Sequence, residues 1–205
     1  AHLLHRLDAE TSGAMLLAKD SHADRKWKKR FDRLLAGKEY LALVRGRPQW
    51  QQLECRSLLA ERKDSAIRSR VFMLDDTMLA AEPDVWSTAR DSCTRFTLLG
   101  SYGEGEALCS LILCDLQSGR RHQIRAQLAG LGLPIVGDKT YSHDGYYYLK
   151  RLQQDLDVED YHQLGAPHQL LHAWRVRLNL YGESLTFTDE HLPEAWPAWV
   201  ADFLR

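Results

Sequence analysis

Two short segments carry most of the reactive side chains. The first is His5-Arg6-Leu7-Asp8-Ala9-Glu10-Thr11-Ser12-Gly13, in which Asp8 stands two residues after Arg6 and ahead of a glycine turn. The second is Ser118-Gly119-Arg120-Arg121-His122-Gln123-Ile124-Arg125. A lone carboxylate can attack an electrophilic carbon or remove a proton. A carboxylate glycosidase needs two acids flanking one bond, and here only Asp8 stands in a recognisable motif. Asp138 is the nearest second acid, and it reads as a loop cap. On residue type alone, Arg6 and Asp8 would be a surface ion pair and Arg125 an exposed helix arginine.

Taken together and in order, the blocks say more. His5–Gly13 resembles the HRLD–x–x–TSG signature of RluA-type pseudouridine synthases. Lys38-Glu39-Tyr40-Leu41-Ala42-Leu43-Val44 resembles that family's K–x–Y–x–A–x–V strand. Residues 118–125 and Gly132-Leu133-Pro134-Ile135-Val136-Gly137-Asp138 resemble its GR–x–HQIR and G–x–PI–x–GD blocks, and Leu170-Leu171-His172-Ala173 its LLHA element. The resemblance runs from residue 5 to residue 173, and implies an enzyme that isomerises uridine to pseudouridine in structured ribosomal or transfer RNA, without a cofactor. It implies Asp8 as the catalytic carboxylate and Arg125 as its guanidinium partner. It also implies that Tyr40 stacks on the flipped uracil and handles a proton late in the reaction. Ile124 would contact the other side of the base, with core packing an equal reading, and Arg6 would fill the space the base vacates.

The chemistry fits these roles. Isomerisation breaks the bond from sugar to base nitrogen, turns the base and rejoins it through a ring carbon. Asp8 would attack the anomeric carbon or remove the neighbouring sugar proton, and both routes stay open. A guanidinium beside a carboxylate favours its charged form, and a bidentate pair fixes its direction. Arg120, Arg121 and Lys139 are candidate phosphate contacts that position RNA rather than read it. Arg121 and Arg125 are expected on one helix face at i, i+4. The His122-Gln123 pair is expected to bond across strands without a catalytic role. The competing reading is a catalytically silent RNA-binding relative of the same fold.

The positioning elements follow from pattern. Ala14–Lys19 reads as a short buried strand. Ser21 reads as an N-cap with Asp24 as its capping-box partner, and Ala23, Trp27, Phe31, Leu34 and Leu35 share helical spacing ahead of Gly37 as C-cap. Tyr40–Val44 is apolar on both faces, as a strand in the body of a sheet must be. From Gln49 to Ala89 the pattern is weak and polar, and peripheral hairpins or insertions are expected. Thr94–Leu99 and Ala107–Leu116 read as strands joined by a Gly103-Glu104-Gly105 turn, followed by a helix holding Ile124, Leu128 and Leu131. The Tyr-rich stretch after Tyr141 reads as a loop, Leu149–Leu156 as a helix, and Leu170–Leu178 and Ser184–Thr188 as strands around a Tyr181-Gly182-Glu183 turn. A short helix with Trp199 and Phe203 follows Pro193. Many strands with few, segregated helices indicate an α+β domain on a largely antiparallel mixed sheet, with helices packed against a central catalytic cleft that binds RNA.

Composition sets the outer bounds. With 205 residues, 44% hydrophobic and 27% charged, the chain matches an ordinary globular protein. Residues 1–205 are read as one catalytic domain that starts within a motif, without Met, and so is truncated at its N-terminus. A net charge of −1 leaves RNA binding to local patches. No apolar run suits a bilayer span, and no secretory signal pattern opens the chain. Four cysteines without a CxxC pair read as free thiols of a cytoplasmic protein. Nine histidines include His2 and His5 close together, but no ligand frame such as HExxH, so no metal is expected. No DNA or membrane partner is expected either.

Overall fold

A computed structural model describes residues 1–204. In chain order the elements are β1 (His2–Leu3), β2 (Ser12–Gly13), β3 (Leu17–Ala18), α1 (Ser21–Lys28), α2 (Phe31–Leu34), β4 (Leu35–Arg45), β5 (Gln52–Glu61), β6 (Val71–Leu74), α3 (Asp76–Ala81), β7 (Arg90–Tyr102) and β8 (Cys109–Leu116). Then come α4 (Gln123–Gly130), α5 (Tyr146–Arg151), α6 (Val158–Leu164), β9 (Leu171–Leu180) and β10 (Glu183–Thr188). A 3₁₀ turn over Ala198–Phe203 follows.

The main sheet runs β10-β9-β4-β8-β7-β5-β6, antiparallel throughout, and β2 adds to β9 in parallel. This is the α+β architecture on a largely antiparallel sheet that the sequence implies. β4 lies in its middle and shows why its residues are apolar on both sides. Tyr40, Ala42 and Val44 pack under Ile124 and Leu128 of α4. Leu41 and Leu43 face the opposite layer, against Leu170, Trp196 and Val200. Successive strand side chains alternate faces, so a doubly covered strand needs apolar residues at every position. Each such fully buried leucine contributes ~1.5–3 kcal/mol.

α4 is tied to the sheet by polar bonds as well. The Gln127 side chain is fully buried; its carbonyl accepts from Thr94 Oγ1 at 2.6 Å, and its amide donates to Cys55 O at 3.2 Å and Ser57 Oγ at 3.1 Å. One turn earlier, Gln123 donates to Cys93 O and Thr94 Oγ1. A buried amide with its bonds met fixes both depth and rotation, because any shift leaves polar atoms unpaired. Gln123 therefore bonds from the helix to the single strand β7, rather than across strands as its sequence context suggests.

Several expectations are corrected. The polar stretch from Gln49 to Ala89 is not merely peripheral, because β5 is an interior strand between β6 and β7. Its polar residues reflect one exposed face. Asp20, not Ser21, caps α1 by accepting from Ala23 N at 2.8 Å, so the Ser21–Asp24 capping box does not form. The helical run breaks at Arg30 (φ −126°), and Leu35 and Gly37 belong to β4, opposite Leu178 and Arg177. Pairing with β9 overrides local helix spacing there. Only Leu17–Ala18 of the Ala14–Lys19 run forms a strand. The Tyr-rich stretch is α5 rather than a loop, and the helix expected over Leu149–Leu156 ends at Arg151. All four cysteines are free. Among the described residues no helix is long and apolar enough to cross a membrane, and no cluster of His, Cys, Asp or Glu could hold a metal ion.

Candidate active site

The Asp8 loop reaches the sheet through its own motif. Thr11 N donates to Asp8 O at 3.0 Å, closing a turn, and Gln169 Nε2 donates to Thr11 Oγ1 at 2.6 Å. Ser12 and Gly13 then pair with His172 and Ala173, and Ser12 Oγ lies 2.9 Å from His172 Nδ1. The early motif and the late LLHA element are thus one structural joint. Gly13 has φ +107°, and a Cβ on it would lie 2.4 Å from Ala173 O, so only glycine permits the approach. Glu10 adds an anchor, accepting from Lys139 Nζ at 3.0 Å and Arg151 Nη1 at 2.8 Å.

Across from this loop, α4 delivers Arg125. Its Nη1 donates to Asp8 Oδ2 at 2.9 Å, so two groups 117 positions apart in sequence meet. The two-pronged contact expected with Asp8 forms elsewhere. Arg125 Nε and Nη2 donate to the two carboxylate oxygens of Asp138 at 2.7 and 2.9 Å, leaving Nη1 for Asp8. Asp138 is wholly buried, and its Oδ1 also accepts from Thr140 N and Tyr141 N. It does cap its loop, as its sequence context indicates, and it also aims the arginine. Burial alone would lower the guanidinium pKa, but the charges of Asp138 and Asp8 outweigh it and move the pKa up.

His122 precedes α4 in the left-handed conformation (φ 51°), so the helix starts after Arg121. Arg121 and Arg125 therefore do not share a helix face, and Arg121 turns outward to Glu61, 2.9 Å away. His122 Nδ1 lies 3.2 Å from the Tyr141 hydroxyl, which already accepts from Val71 N. His122 Nε2 lies on the Asp8 side, 3.9 Å from Oδ2. Burial, followed by the charge of Arg125, lowers the His122 pKa to about 4, so the ring is neutral and makes no ion pair with Asp8.

These residues floor a cavity of about 230 Å³. Asp8, Tyr40, Arg125, Arg6, Ile124, Arg120 and Arg121 all line it. Lys139 does not: it is 4% exposed and engaged by Glu10 and Pro167 O, which corrects its expected role as a phosphate contact. Arg6, Arg120 and Arg121 are exposed at the rim, with Arg120 Nε bonded to Asp91 O. Ile124 and Tyr40 form apolar walls. Burial, then the charge of Asp8, pushes the Tyr40 phenol up to about 12, so it keeps its proton at neutral pH. Sequence reading missed Lys38, Asp138 and Tyr141 as parts of the site. For Lys38 the signal was present, since it lies two residues from Tyr40 on one strand and so faces the same side.

The fold and the cavity can now be set beside known proteins. The family model for RNA pseudouridylate synthase matches residues 1–130. An uncharacterized RNA pseudouridine synthase of Aquifex aeolicus is 30% identical over 183 residues, covering 85% of this chain and 51% of that protein. The tRNA pseudouridine synthase C of Yersinia pestis is 29% identical over 207 residues, covering 98% and 73%. Coverage falls to 29% of RNA pseudouridine synthase 2 from Oryza sativa subsp. japonica, so the chain spans about half or less of some relatives it matches. The structure of Human RNA Pseudouridylate Synthase Domain Containing 4 superposes with a TM-score of 0.62 at 25% identity, covering 94% of this chain and 72% of that one. Asp8, Arg125 and Tyr40 converge on one cavity within this shared architecture, and the chain belongs to the RNA pseudouridylate synthase family.

Proposed function

We propose that the protein isomerises uridine to pseudouridine in structured ribosomal or transfer RNA, with Asp8 as its catalytic carboxylate. The observation that carries this reading is the contact between Asp8 and Arg125, itself clamped by Asp138, in a cavity walled by Tyr40 and Ile124. The cavity is somewhat smaller than the ~300–1,000 Å³ of ordinary ligand clefts. That suits one flipped nucleoside, not a base-paired helix.

Extruding a stacked base costs a few kcal/mol. Arg6, exposed at the rim and two residues from Asp8, enters the gap in the stack, while Arg120 and Arg121 hold backbone phosphate. The uracil then rests on Tyr40, and base–aromatic stacking contributes ~1–3 kcal/mol. Asp8, oriented by Arg125, attacks C1′ or takes the C2′ proton, and the C1′–N1 bond breaks. The base turns, C5 bonds to C1′, and C5 loses its proton. No cofactor enters this sequence, and a protein with free thiols doing such work belongs in the cytoplasm.

The test is tritium release from bulk transfer and ribosomal RNA carrying 5-tritiated uridine, since C5 loses its hydrogen only on isomerisation. The protein is expected to release tritium, and Asp8→Asn to abolish release while RNA affinity stays within a few-fold. Retained turnover in Asp8→Asn would remove the carboxylate from the mechanism. A wild-type protein that binds these RNAs without release would be a silent binder.

A further inference from the structure

Among the described residues, Lys38 and Arg6 are the cavity cations with no bonded partner; Arg6 is exposed at the rim, and Lys38 is the half-buried one. Arg125 is held by Asp138 and Asp8, Arg121 faces Glu61, and Arg120 bonds Asp91 O. Lys38 is half-buried on β4, two residues before Tyr40, and both side chains line the cavity. Its ammonium points toward the Ser118–Arg120 loop, 3.6 Å from where a Cβ on Gly119 would sit. No carboxylate among the described residues pairs with it. Burial alone lowers its pKa, with no acid near enough to counter the loss of water. Desolvating a cation without a partner is costly, and the cost is recovered when an anion arrives beside it.

The charge balance of the cavity floor says which anion. Asp8 and Asp138 carry two negative charges, Arg125 one positive, and His122 none. When the C1′–N1 bond breaks, its electron pair leaves with N1. Asp8 has then given up its charge, either by bonding to C1′ or by taking the C2′ proton. One negative charge has moved from the carboxylate to the base, where it spreads over N1 and the two carbonyl oxygens. Arg125 cannot follow it, because Asp138 fixes two of its three nitrogens. We propose that Lys38 is a further catalytic residue, which donates a hydrogen bond to a carbonyl oxygen of the detached uracil and holds its negative charge while the base turns.

This inference rests on the isomerase reading, and it assigns Lys38 to the base rather than to phosphate. The exposed rim arginines suit phosphate, whereas Lys38 sits inside, beside the ring that stacks on the base. Lys38 stays protonated throughout, so no proton is gained or lost in this step.

The test is Lys38→Met, with Lys38→Arg beside it, in single-turnover assays on tritiated bulk transfer and ribosomal RNA. A second arm uses the same RNA with 5-fluorouridine, whose base leaves more readily as an anion, scored by loss of the intact fluorouridine. Removing one preorganised donor aimed at developing charge costs ~10²–10³ in rate. Lys38→Met is expected to lose about that much on uridine and at least tenfold less on 5-fluorouridine, with RNA affinity unchanged and Lys38→Arg partly rescued. Weaker RNA binding with a normal rate at saturation would make Lys38 a phosphate contact and overturn the proposal. An equal loss on both bases, or no loss, would overturn it as well. None of these outcomes touches the isomerase reading, which stands or falls with Asp8→Asn.

Discussion

Asp138 grips Arg125 through two parallel hydrogen bonds of 2.7 and 2.9 Å, at a position where the carboxylate has no solvent exposure. The arginine is thereby oriented before substrate arrives, and its remaining nitrogen fixes Asp8. Breaking a buried pair by removing one partner costs ~3–5 kcal/mol, because the other charge is stranded. Arg125→Met and Asp138→Ala are each expected to lose about that much in urea unfolding and to stop pseudouridine formation. The double variant should be far less destabilised than the sum of the two, since neither charge is then left alone. Additive losses would show that the grip does not exist in solution.

The Tyr40 phenol keeps its proton and its ring packs into the sheet core beneath α4. Tyr40→Phe preserves that packing and the stacking face while deleting the hydroxyl. RNA affinity and unfolding midpoint are expected to hold, and turnover to fall ~10²-fold, the low end for a lost proton-handling group. Turnover within twofold of the parent would reduce Tyr40 to a stacking platform.

Gly13 is where the catalytic loop touches the sheet. Gly13→Ala places a methyl 2.4 Å from Ala173 O at φ +107°, so residues 12–13 must lift from β9 and carry Asp8 with them. A shift of ~1 Å at a reacting group can cost 10²-fold, and that loss is expected in tritium release with the far-UV spectrum unchanged. Gly182→Ala is the control: its φ is +90°, but no atom lies within 4 Å of the new methyl. It should strain the β9–β10 turn and leave activity intact. Equal effects from the two would mean that the strained dihedral, rather than loop displacement, is what matters.

The sequence showed best what depends on local order. Ordered motifs placed Asp8, Tyr40 and Arg125 in one site, and the doubly apolar run Tyr40–Val44 announced a central strand. It showed least where a tertiary partner decides. Gly37 reads as a helix stop, yet β9 draws it into β4, where the Arg177 guanidinium covers it. Lys139 has the type and motif position of a phosphate contact, but Glu10, far away in sequence, holds it inside. Asp138 was legible as a loop cap; its grip on Arg125 depends on α4 being rotated by Gln123 and Gln127, which no spacing along the chain encodes.

His122 gives the site a pH signature. Burial leads in lowering its pKa from 6.5 to about 4, with the charges of Arg125 and Arg121 adding to the fall and those of Asp8 and Asp138 opposing it. Between those two values the unfolded chain holds a proton there that the native protein does not, so stability rises with pH across that window. The contribution is complete above about pH 6.5 and is lost as pH falls toward 4, to a limit of ~3 kcal/mol. His5 and His143 are shifted down too and add slopes of the same sign, so the informative quantity is a difference. His122→Asn keeps a side chain that tolerates φ 51° and removes the titration. Urea unfolding from pH 4 to 7 should show a shallower pH dependence in His122→Asn than in the parent. Parallel curves would mean that the ring is solvated and titrates as it does in the unfolded chain.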